Sequence, residues 1–373
     1  MISLAFIPQT YMRTLNNPTS DQISELHSLY ALSLQCPCSS ISIPYDIFLT
    51  IEPHYHQMCS SYLVSPIWLS ELEFFMQVML HFPYPNEYAR NAGSQFHLLK
   101  ELCFKAKDTI TNSLQQFRNQ TLISTQIIPK QVFELQAKTS IAEWKQLTNN
   151  TFHRALQLIR ATQYGNHLTA SGSNSVFDID VLLNRFTLNS SNYYNECNCM
   201  LSSSCHSPMR VYSIWNTPPI YQFDVPRFFA GCFRLEALLE STLECFYNQT
   251  CLNKILDATQ LAHLRHNFSA LNIIDNSFNE TIGSVVNKLF VDKWSETISF
   301  GKYFKICAPQ SCTYEYTGRQ NLIFLITAIL GIFSSLPKLL KIIFSVLLWF
   351  VTKVRYLLIA FFFLVKRPSF VVR

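Results

Sequence analysis

The apolar run from Leu322 to Val351 constrains this chain more than any other feature. It is interrupted only by Pro337, Lys338 and Lys341. About 20 mainly apolar residues in a helix cross the roughly 30 Å hydrocarbon core of a bilayer, because a helix satisfies its own backbone hydrogen bonds there. The run therefore predicts a membrane helix, and every segment before it has to lie on one side of the membrane.

Two features of the run concern its surroundings. Lys338 and Lys341 lie near its C-terminal end, where long side chains reach the headgroups, so we expect them to mark the membrane edge. Gly331 and Ser335 are four residues apart, a spacing of small residues that lets a second helix approach closely. The alternative is that these small residues merely fill positions in an apolar helix.

Charge predicts the orientation of the helix. Of the 29 basic residues, seven follow Asn321 and no acidic residue does, whereas the other 22 share the preceding part with 24 acidic residues. The seven are Lys338, Lys341, Lys353, Arg355, Lys366, Arg367 and Arg373. Because positively charged flanks stay in the cytoplasm, we expect the C-terminus inside and the preceding residues outside. The formal net charge of +5 comes from this tail, so it does not indicate nucleic-acid binding.

These features divide the chain into three segments. Residues 1–318 form an ectodomain with a subdomain boundary near 165–175, residues 319–351 form the transmembrane segment, and residues 352–373 form a basic cytoplasmic tail. A second apolar run, 354–365, is short for a crossing, and we expect it to lie in the membrane interface between its basic flanks. A second crossing there is the alternative, and it would move the C-terminus outside.

Twelve cysteines, all of them before the membrane run, indicate the compartment. An even number on the presumed outer side predicts a disulfide framework made in an oxidising environment. The disulfide candidates are Cys36, Cys38, Cys59, Cys103, Cys197, Cys199, Cys205, Cys232, Cys245, Cys251, Cys307 and Cys312. Their connectivity does not follow from the sequence.

Six Asn-x-Ser/Thr sequons support the same assignment, since none lies in the membrane run or the tail. They begin at Asn119, Asn149, Asn189, Asn248, Asn267 and Asn279. The first residues, Met1 to Pro8, give neither a signal peptide nor an anchor, because about six apolar residues precede a proline without a basic start. We therefore expect a signal or a first membrane helix upstream of this sequence.

Local patterns predict a disulfide-stabilised α+β chain that is mainly helical. The predicted helices run from Asp21 to the Cys-Pro-Cys at 36–38, from Ser65-Pro66, after Ser94, from the capping box at Ser140 to about Thr162, and from about Arg227 to Phe246. The β-branched, proline-broken stretch 41–51 predicts an edge strand or an extended segment.

The sequence contains no motif that identifies an enzyme: it has no Gly-rich phosphate loop, no Gly-x-Ser-x-Gly and no His-Glu-x-x-His. His54, His56 and Cys59 have the spacing of zinc ligands, but a polar loop with a disulfide is the preferred interpretation. Three glutamates four residues apart, Glu236, Glu240 and Glu244, predict a solvated helix face; the alternatives are acid and base chemistry or cation binding. We predict no catalytic residue, no metal and no cofactor.

Part of the layout resembles the degenerin and amiloride-sensitive epithelial sodium channel family. The resemblance rests on the Cys197-x-Cys199-x5-Cys205 cluster, on Arg210-Val-Tyr212, on the late cysteine loop and on Gly331-Ile-Phe-Ser334-Ser335 in the final helix. It implies three assembled subunits, two membrane helices around the ectodomain, and an ion filter of small residues, here Gly331, Ser334 and Ser335. The chain departs from that family because it lacks the acidic and Gly-Gly start of the second helix and the acidic residue after the filter.

Two functions follow from these observations. The first is a plasma-membrane protein whose disulfide-bonded, N-glycosylated ectodomain binds an extracellular ligand or partner. The alternative is a subunit of a degenerin-like cation channel. In both, the partners include the lipid bilayer and a homo- or hetero-oligomer formed through the transmembrane helix.

Overall fold

The computed structural model describes residues 9–79, 87–166, 175–180, 185–190, 199, 201–213, 219–259, 261, 268–273, 277–318 and 322–365. This part of the chain is mainly helical. Its helices are α1 (Ser20–Tyr30), α2 (Tyr45–Phe48), α3 (Pro66–Met79), α4 (Tyr88–Arg118), α5 (Lys130–Gly165), α6 (Arg234–Glu240), α7 (Gln249–Ala258), α8 (Ile282–Asn287), α9 (Phe300–Cys307) and α10 (Leu322–Val365).

The strands form antiparallel pairs rather than one large sheet. They are β1 (Gln9–Asn16), β2 (Ser42–Pro44), β3 (Leu49–Tyr55), β4 (Thr121–Ile123), β5 (Ser175–Asp180), β6 (Arg185–Ser190), β7 (His206–Ser213), β8 (Ile220–Gly231), β9 (Val291–Ile298) and β10 (Ser311–Gly318). The pairs are β1–β10, β2–β4, β3–β9, β5–β6 and β7–β8. The α+β, mainly helical class predicted from the sequence is confirmed.

The chain divides into two compact units. Unit 1 comprises Met1–Pro37 and Pro309–Arg373, and unit 2 comprises Cys38–Ala308. The predicted subdomain boundary near 165–175 therefore falls within unit 2, and most of it lies outside the described residues.

Unit 1 is built on the β1–β10 pair. Eight residues of each strand pair without a bulge, from Gln9 opposite Gly318 to Asn16 opposite Ser311. Helix α1 follows β1 and begins with a capping box between Thr19 and Gln22, which satisfies two backbone N–H groups at the helix start. It ends at Tyr30, so the predicted extension to residue 36 is wrong.

The larger core of unit 2 packs α3, α4, α6, α7 and α8 against the β7–β8 hairpin. Its centre is an aromatic cluster in which Phe96 contacts Trp68, Phe228 and Phe246 with ring centroids 5.2–5.8 Å apart. All four side chains are fully buried. Helix α3 begins at Pro66 as predicted, because proline suits the first helical position and Trp68 and Leu72 face the core.

A second core in unit 2 joins the end of α4 to α2, α5 and α9. Phe133 stacks on Tyr303 at 4.5 Å and contacts Phe48 at 5.1 Å. The Trp144 indole N–H donates to the Ser113 hydroxyl at 2.8 Å, which connects α5 to α4. This packing gives α5 a buried face along most of its length.

The same packing explains where α5 begins. The sequence predicted a start at the Ser140 capping box, but the helix begins at Lys130 and Ser140 lies inside it. Phe133 and Ala137 are buried on the same face as Ile141, so the apolar face extends two turns before Ser140.

Helix α4 also begins earlier than the predicted start after Ser94. Glu87 caps it by accepting a hydrogen bond from the backbone N–H of Arg90 at 2.9 Å. Tyr88 and Ala92 are buried and extend the apolar face of the helix toward its N-terminus.

The helix predicted from Arg227 to Phe246 is wrong. Strand β8 continues to Gly231, α6 covers only seven residues, and a 3₁₀ turn follows at Glu244–Tyr247. Strand pairing outweighs the helical spacing in this stretch. At the end of β8, a Cβ at Gly231 would lie 2.7 Å from the carbonyl oxygen of Cys205, so this close approach needs glycine. The stretch 41–51 contains β2, the short helix α2 and the start of β3, rather than one extended segment.

Candidate functional site

Helix α10 is the candidate membrane segment, and it is longer than the sequence predicted. It runs without a break through Pro337 for 44 residues, about 66 Å of helix, which is roughly twice the thickness of a hydrocarbon core. The part from Phe333 to Ile359 is long and apolar enough to span a membrane, and none of its side chains is buried in the protein. The predicted limit at 351/352 is not a helix end, and the run 354–365 continues the same helix.

The predicted pore or packing residues Gly331, Ser334 and Ser335 lie on successive turns of α10. The Ser334 hydroxyl donates to the carbonyl oxygen of Gly331 at 2.8 Å, so its proton is used within the helix. A Cβ at Gly331 would meet nothing within 4 Å. In the described residues, therefore, no second helix occupies the close approach that this small-residue spacing permits.

Lys338 and Lys341 lie five and eight residues inside the candidate span. The helix continues 24 residues past Lys341. The large side chains after Lys341, such as Phe344 and Leu347, are apolar and more than half exposed. The apolar helix therefore continues past both lysines, and their place at the membrane edge stays a prediction.

The described cysteines form the disulfide framework that the sequence predicted without its connectivity. Unit 1 contains Cys36–Cys312, and unit 2 contains Cys38–Cys307, Cys59–Cys103, Cys199–Cys232 and Cys245–Cys251. Cys205 is also disulfide-bonded, and Cys197 lies outside the described residues. All of these bonds precede α10.

The buried sulfurs of Cys199, Cys205 and Cys232 lie within 4.8 Å of one another, a separation that would also suit a metal ion bound by thiolates. All three residues are disulfide-bonded, however. A sulfur in a disulfide is not a thiolate, so this cluster is a cross-linked site in which Cys199–Cys232 joins the segment before β7 to the residue after β8.

The sequons occupy different environments. Asn119, Asn248 and Asn279 are exposed, at the end of α4, at the start of α7 and at the end of a 3₁₀ turn. Asn149 is half-buried inside α5, and its amide oxygen is buried with no hydrogen-bond partner among the described residues. Asn189 lies in β6, but its side chain, like the whole of Asn267, is outside the described residues.

A cleft of about 630 Å³ lies in unit 2 between α4 and the β3 region. Buried Leu114 and half-buried Tyr55 form part of its floor, and exposed Asp46 and Arg118 contribute opposite charges to its lining. Asn119 is also at the cleft, so a glycan there would restrict the size of a ligand that can enter.

The structure does not assemble the zinc arrangement considered for His54, His56 and Cys59. Cys59 is bonded to Cys103. The His54 Nε2 atom is 2.6 Å from the Ser295 hydroxyl, whereas His56 is buried and its Nδ1 accepts the backbone N–H of Met58. The preferred interpretation, a polar segment with a disulfide, agrees with this geometry.

The three glutamates considered for a carboxylate row do not share one helix. Glu236 and Glu240 lie in α6, but Glu244 belongs to the following 3₁₀ turn. Glu236 forms a two-point ion pair with Arg160 of α5, with contacts of 2.5 and 2.6 Å, rather than the solvated arrangement that was predicted. The carboxylate is therefore engaged in joining α5 to α6.

Glu87 is an ionisable group that the sequence analysis missed. Its side chain is 1 % exposed, and burial raises the pKa of the carboxyl to about 7. Hydrogen bonds donated by the backbone N–H groups of Arg90, Ala89 and Tyr212 lower this pKa, but their effect is smaller than that of burial. The available signal was an acidic residue just after Pro85, at the cap position of a helix.

Glu87→Gln is expected to remove a pH dependence of stability. The folded state binds the proton more tightly than the unfolded state, so the wild type loses stability as pH rises from about 4.5 to about 7. The loss is about 3 kcal/mol in the free energy of unfolding. Glutamine keeps an oxygen for the helix cap, so the free energy of unfolding of the variant should equal that of the wild type at about pH 4, below the unfolded pKa, and should exceed it at about pH 8 in denaturant unfolding. Glu101→Gln, at an exposed position of α4, should leave the wild-type pH profile unchanged.

Scans against protein-family models, curated proteins and solved structures find no match for this chain. They therefore give no support for the resemblance to the degenerin and epithelial sodium channel family.

Proposed function

We propose that this chain is a plasma-membrane protein, anchored by α10, whose disulfide-bonded ectodomain binds an extracellular ligand or partner. The observation that carries the proposal is the exposure of α10 beside a cross-linked body. In the span Phe333–Ile359 none of the side chains is buried, although most are apolar. Leaving one large apolar side chain in water costs about 1.5–3 kcal/mol, so a helix of this kind requires lipid or protein around it.

The orientation rests on disulfides and charge. The five disulfides between described cysteines precede α10, which fits an oxidising, extracellular side. The seven basic residues after Asn321, with no acidic residue among them, fit a cytoplasmic C-terminus. The cleft between α4 and β3 is the place where we expect a small extracellular ligand to bind, because it combines apolar floor and opposite charges in its lining.

Glycan mapping tests the orientation. In membranes of secretory cells, an amidase that removes N-linked glycans should increase the gel mobility of the chain. Replacing Asn119, Asn248 or Asn279 by glutamine should each remove one step of mobility, because these side chains are exposed. Asn149→Gln should remove none, because a glycan there would have to fit beside a buried amide oxygen within α5.

Two measurements complete the test. A C-terminal tag should stay protected from protease added to intact cells, while the ectodomain is cleaved. If the chain carries no glycan and all of its cysteines react with a thiol reagent in native membranes, the ectodomain does not lie outside and the proposal is wrong.

A second candidate function is a subunit of a degenerin-like channel, and one feature of unit 1 favours it. Gln9 pairs with Gly318, four residues before α10 begins at Leu322. The N-terminal end of β1 and the C-terminal end of β10 therefore lie together, which suits a chain with one membrane helix on each side of the ectodomain. Lys338 and Lys341 oppose this candidate, because cations close to Ser334 would repel permeating cations.

The channel candidate predicts cation current in cells that express the chain. Gly331→Trp should abolish that current if the small residues line the pore. Absence of current, alone or with related subunits, would eliminate this candidate and leave the anchored ectodomain.

A further inference from the structure

Within the span Phe333–Ile359, the polar side chains of α10 all lie on one side of the helix. At about 100° per residue, they fall within an arc of about 160°, and the opposite side is entirely apolar. We call this side the cationic face. It consists of Ser334, Ser335, Lys338, Lys341, Ser345, Thr352, Lys353, Arg355 and Tyr356. The arrangement gives the helix one surface suited to lipid and another that is not.

Three hydroxyl groups on this face donate their protons to carbonyl groups of the same helix. Ser334 donates to the Gly331 carbonyl at 2.8 Å, Ser345 donates to the Lys341 carbonyl at 2.8 Å, and Thr352 is 2.9 Å from the Leu348 carbonyl. These residues can therefore face lipid at small cost.

The charged side chains of the cationic face differ from its hydroxyl groups. No acidic residue occurs after Glu315, so no carboxylate of α10 can pair with Lys338 or Lys341. Lys353 lies 5.8 Å from the centre of the Trp349 ring, a partial compensation that Lys338 and Lys341 do not share among the described residues. A charged side chain inside a membrane is costly and usually faces protein or water and pairs with an opposite charge.

Its position distinguishes Lys341 from an anchor at the end of an apolar helix. Lys341 lies 19 residues after Leu322, where α10 begins, and 24 residues before Val365, where it ends, and the residues on both sides are mainly apolar. The next cation along the helix is Lys353. The ammonium group therefore lies in the interior of the apolar helix.

We propose that the cationic face of α10 binds a membrane helix of a different protein that carries a carboxylate at the depth of Lys338 and Lys341. This inference rests on the proposed membrane anchor. A second copy of α10 is an unsuitable occupant, because it would bring four more cations and no carboxylate. A Glu or Asp side chain supplies both the opposite charge and acceptors for the ammonium protons, and that pairing is strongest in surroundings of low dielectric. The bound helix would also cover the hydroxyl groups along the same face.

The full chain, labelled with a donor dye and reconstituted in phosphatidylcholine vesicles, provides the test. The probes are three acceptor-labelled leucine-rich helical peptides that differ at one position, eight residues from the extracellular end, where they carry Glu, Gln or Leu. Energy transfer should give an association constant at least about tenfold higher for the Glu peptide than for the Leu peptide, equivalent to about 1.4 kcal/mol. The association constant of the Gln peptide should lie between those of the Glu and Leu peptides, because an amide accepts hydrogen bonds without charge.

A face-exchange variant is the matched control. The four substitutions Lys338→Leu, Leu340→Lys, Lys341→Leu and Ile343→Lys keep two lysines, the net charge and nearly the same depth, but move both lysines to the opposite side of α10. When Ser345→Cys is added to the chain, the Glu peptide should cross-link to position 345 on the original face, and the face-exchange variant should lose this cross-link. Lys338→Leu with Lys341→Leu should lose the preference for Glu altogether.

The outcomes separate this inference from the membrane anchor. Extraction of the chain from vesicles at high pH would overturn the anchor and the inference together. An inserted chain that binds the Glu and Leu peptides equally would overturn the inference alone. Stronger transfer between two copies of the chain than to the Glu peptide would overturn it in favour of self-association. A Glu preference that persists after both lysines are replaced would show that the cationic face is not responsible.

Discussion

A quadruple alanine variant that lacks two disulfides is expected to lose far more than twice the free energy of unfolding that removal of either disulfide alone costs. The replaced residues are Cys36, Cys38, Cys307 and Cys312. The two bonds join almost the same segments, because Cys36–Cys312 spans 276 residues and Cys38–Cys307 spans 269. While one bond remains, the other closes only a short additional loop. The loss of either one should therefore cost about 2 kcal/mol in the free energy of unfolding.

Loss of the second bond is different because it releases a closed loop of about 270 residues. In the chain-entropy description this costs about 5 kcal/mol more, which is comparable with the whole stability of many domains. The quadruple variant should therefore be retained inside the cell, while each double variant reaches the surface. Thermal unfolding of the purified chain in detergent, followed by tryptophan fluorescence, measures the difference.

Removal of Cys245–Cys251 is the matched control for this experiment. That bond spans only six residues, so its loss should resemble the loss of one of the two long-range bonds and should add to it independently. Equal, additive losses for all three bonds would contradict the argument that the two long-range bonds substitute for each other.

Phe96→Ala is expected to have the second large effect. The ring is fully buried where α4 meets α3, β8 and the 3₁₀ turn, and it contacts Trp68, Phe228 and Phe246. Its removal leaves a cavity among rigid aromatic side chains that cannot close it. The cost should be about 3–5 kcal/mol in the free energy of unfolding, measured in denaturant.

Phe104 offers a control on the same helix. Its side chain is 57 % exposed, so Phe104→Ala should change the free energy of unfolding by about 0.5 kcal/mol or less. A similar loss at both positions would mean that the effect comes from helix propensity and not from the aromatic cluster.

Local signals predicted those elements whose ends depend on local chemistry. Ser65-Pro66 gave the start of α3, because proline fixes the backbone angle that the first helical turn needs. The apolar run predicted that α10 is a helix. Where tertiary contacts control the ends, the predictions failed. The start of α5 depends on Phe133 packing against Tyr303, which is 170 residues away in the sequence and cannot be recognised from local spacing.

The candidate site shows the same division. The residues Gly331, Ser334, Lys338 and Lys341 could be selected from the sequence because α10 is one continuous helix. Glu87 could not, because its raised pKa results from burial by elements distant in sequence.

Sequence by itself determined that the chain ends in an apolar helix, that this helix carries its polar residues on one side, and that the cysteines precede it. These properties depend on residue type and helical period alone. Only the tertiary structure decided which cysteines pair and that β8 is a strand where helical spacing was present. Those outcomes depend on which distant segments meet, because a disulfide or a strand pair forms between surfaces that folding brings together.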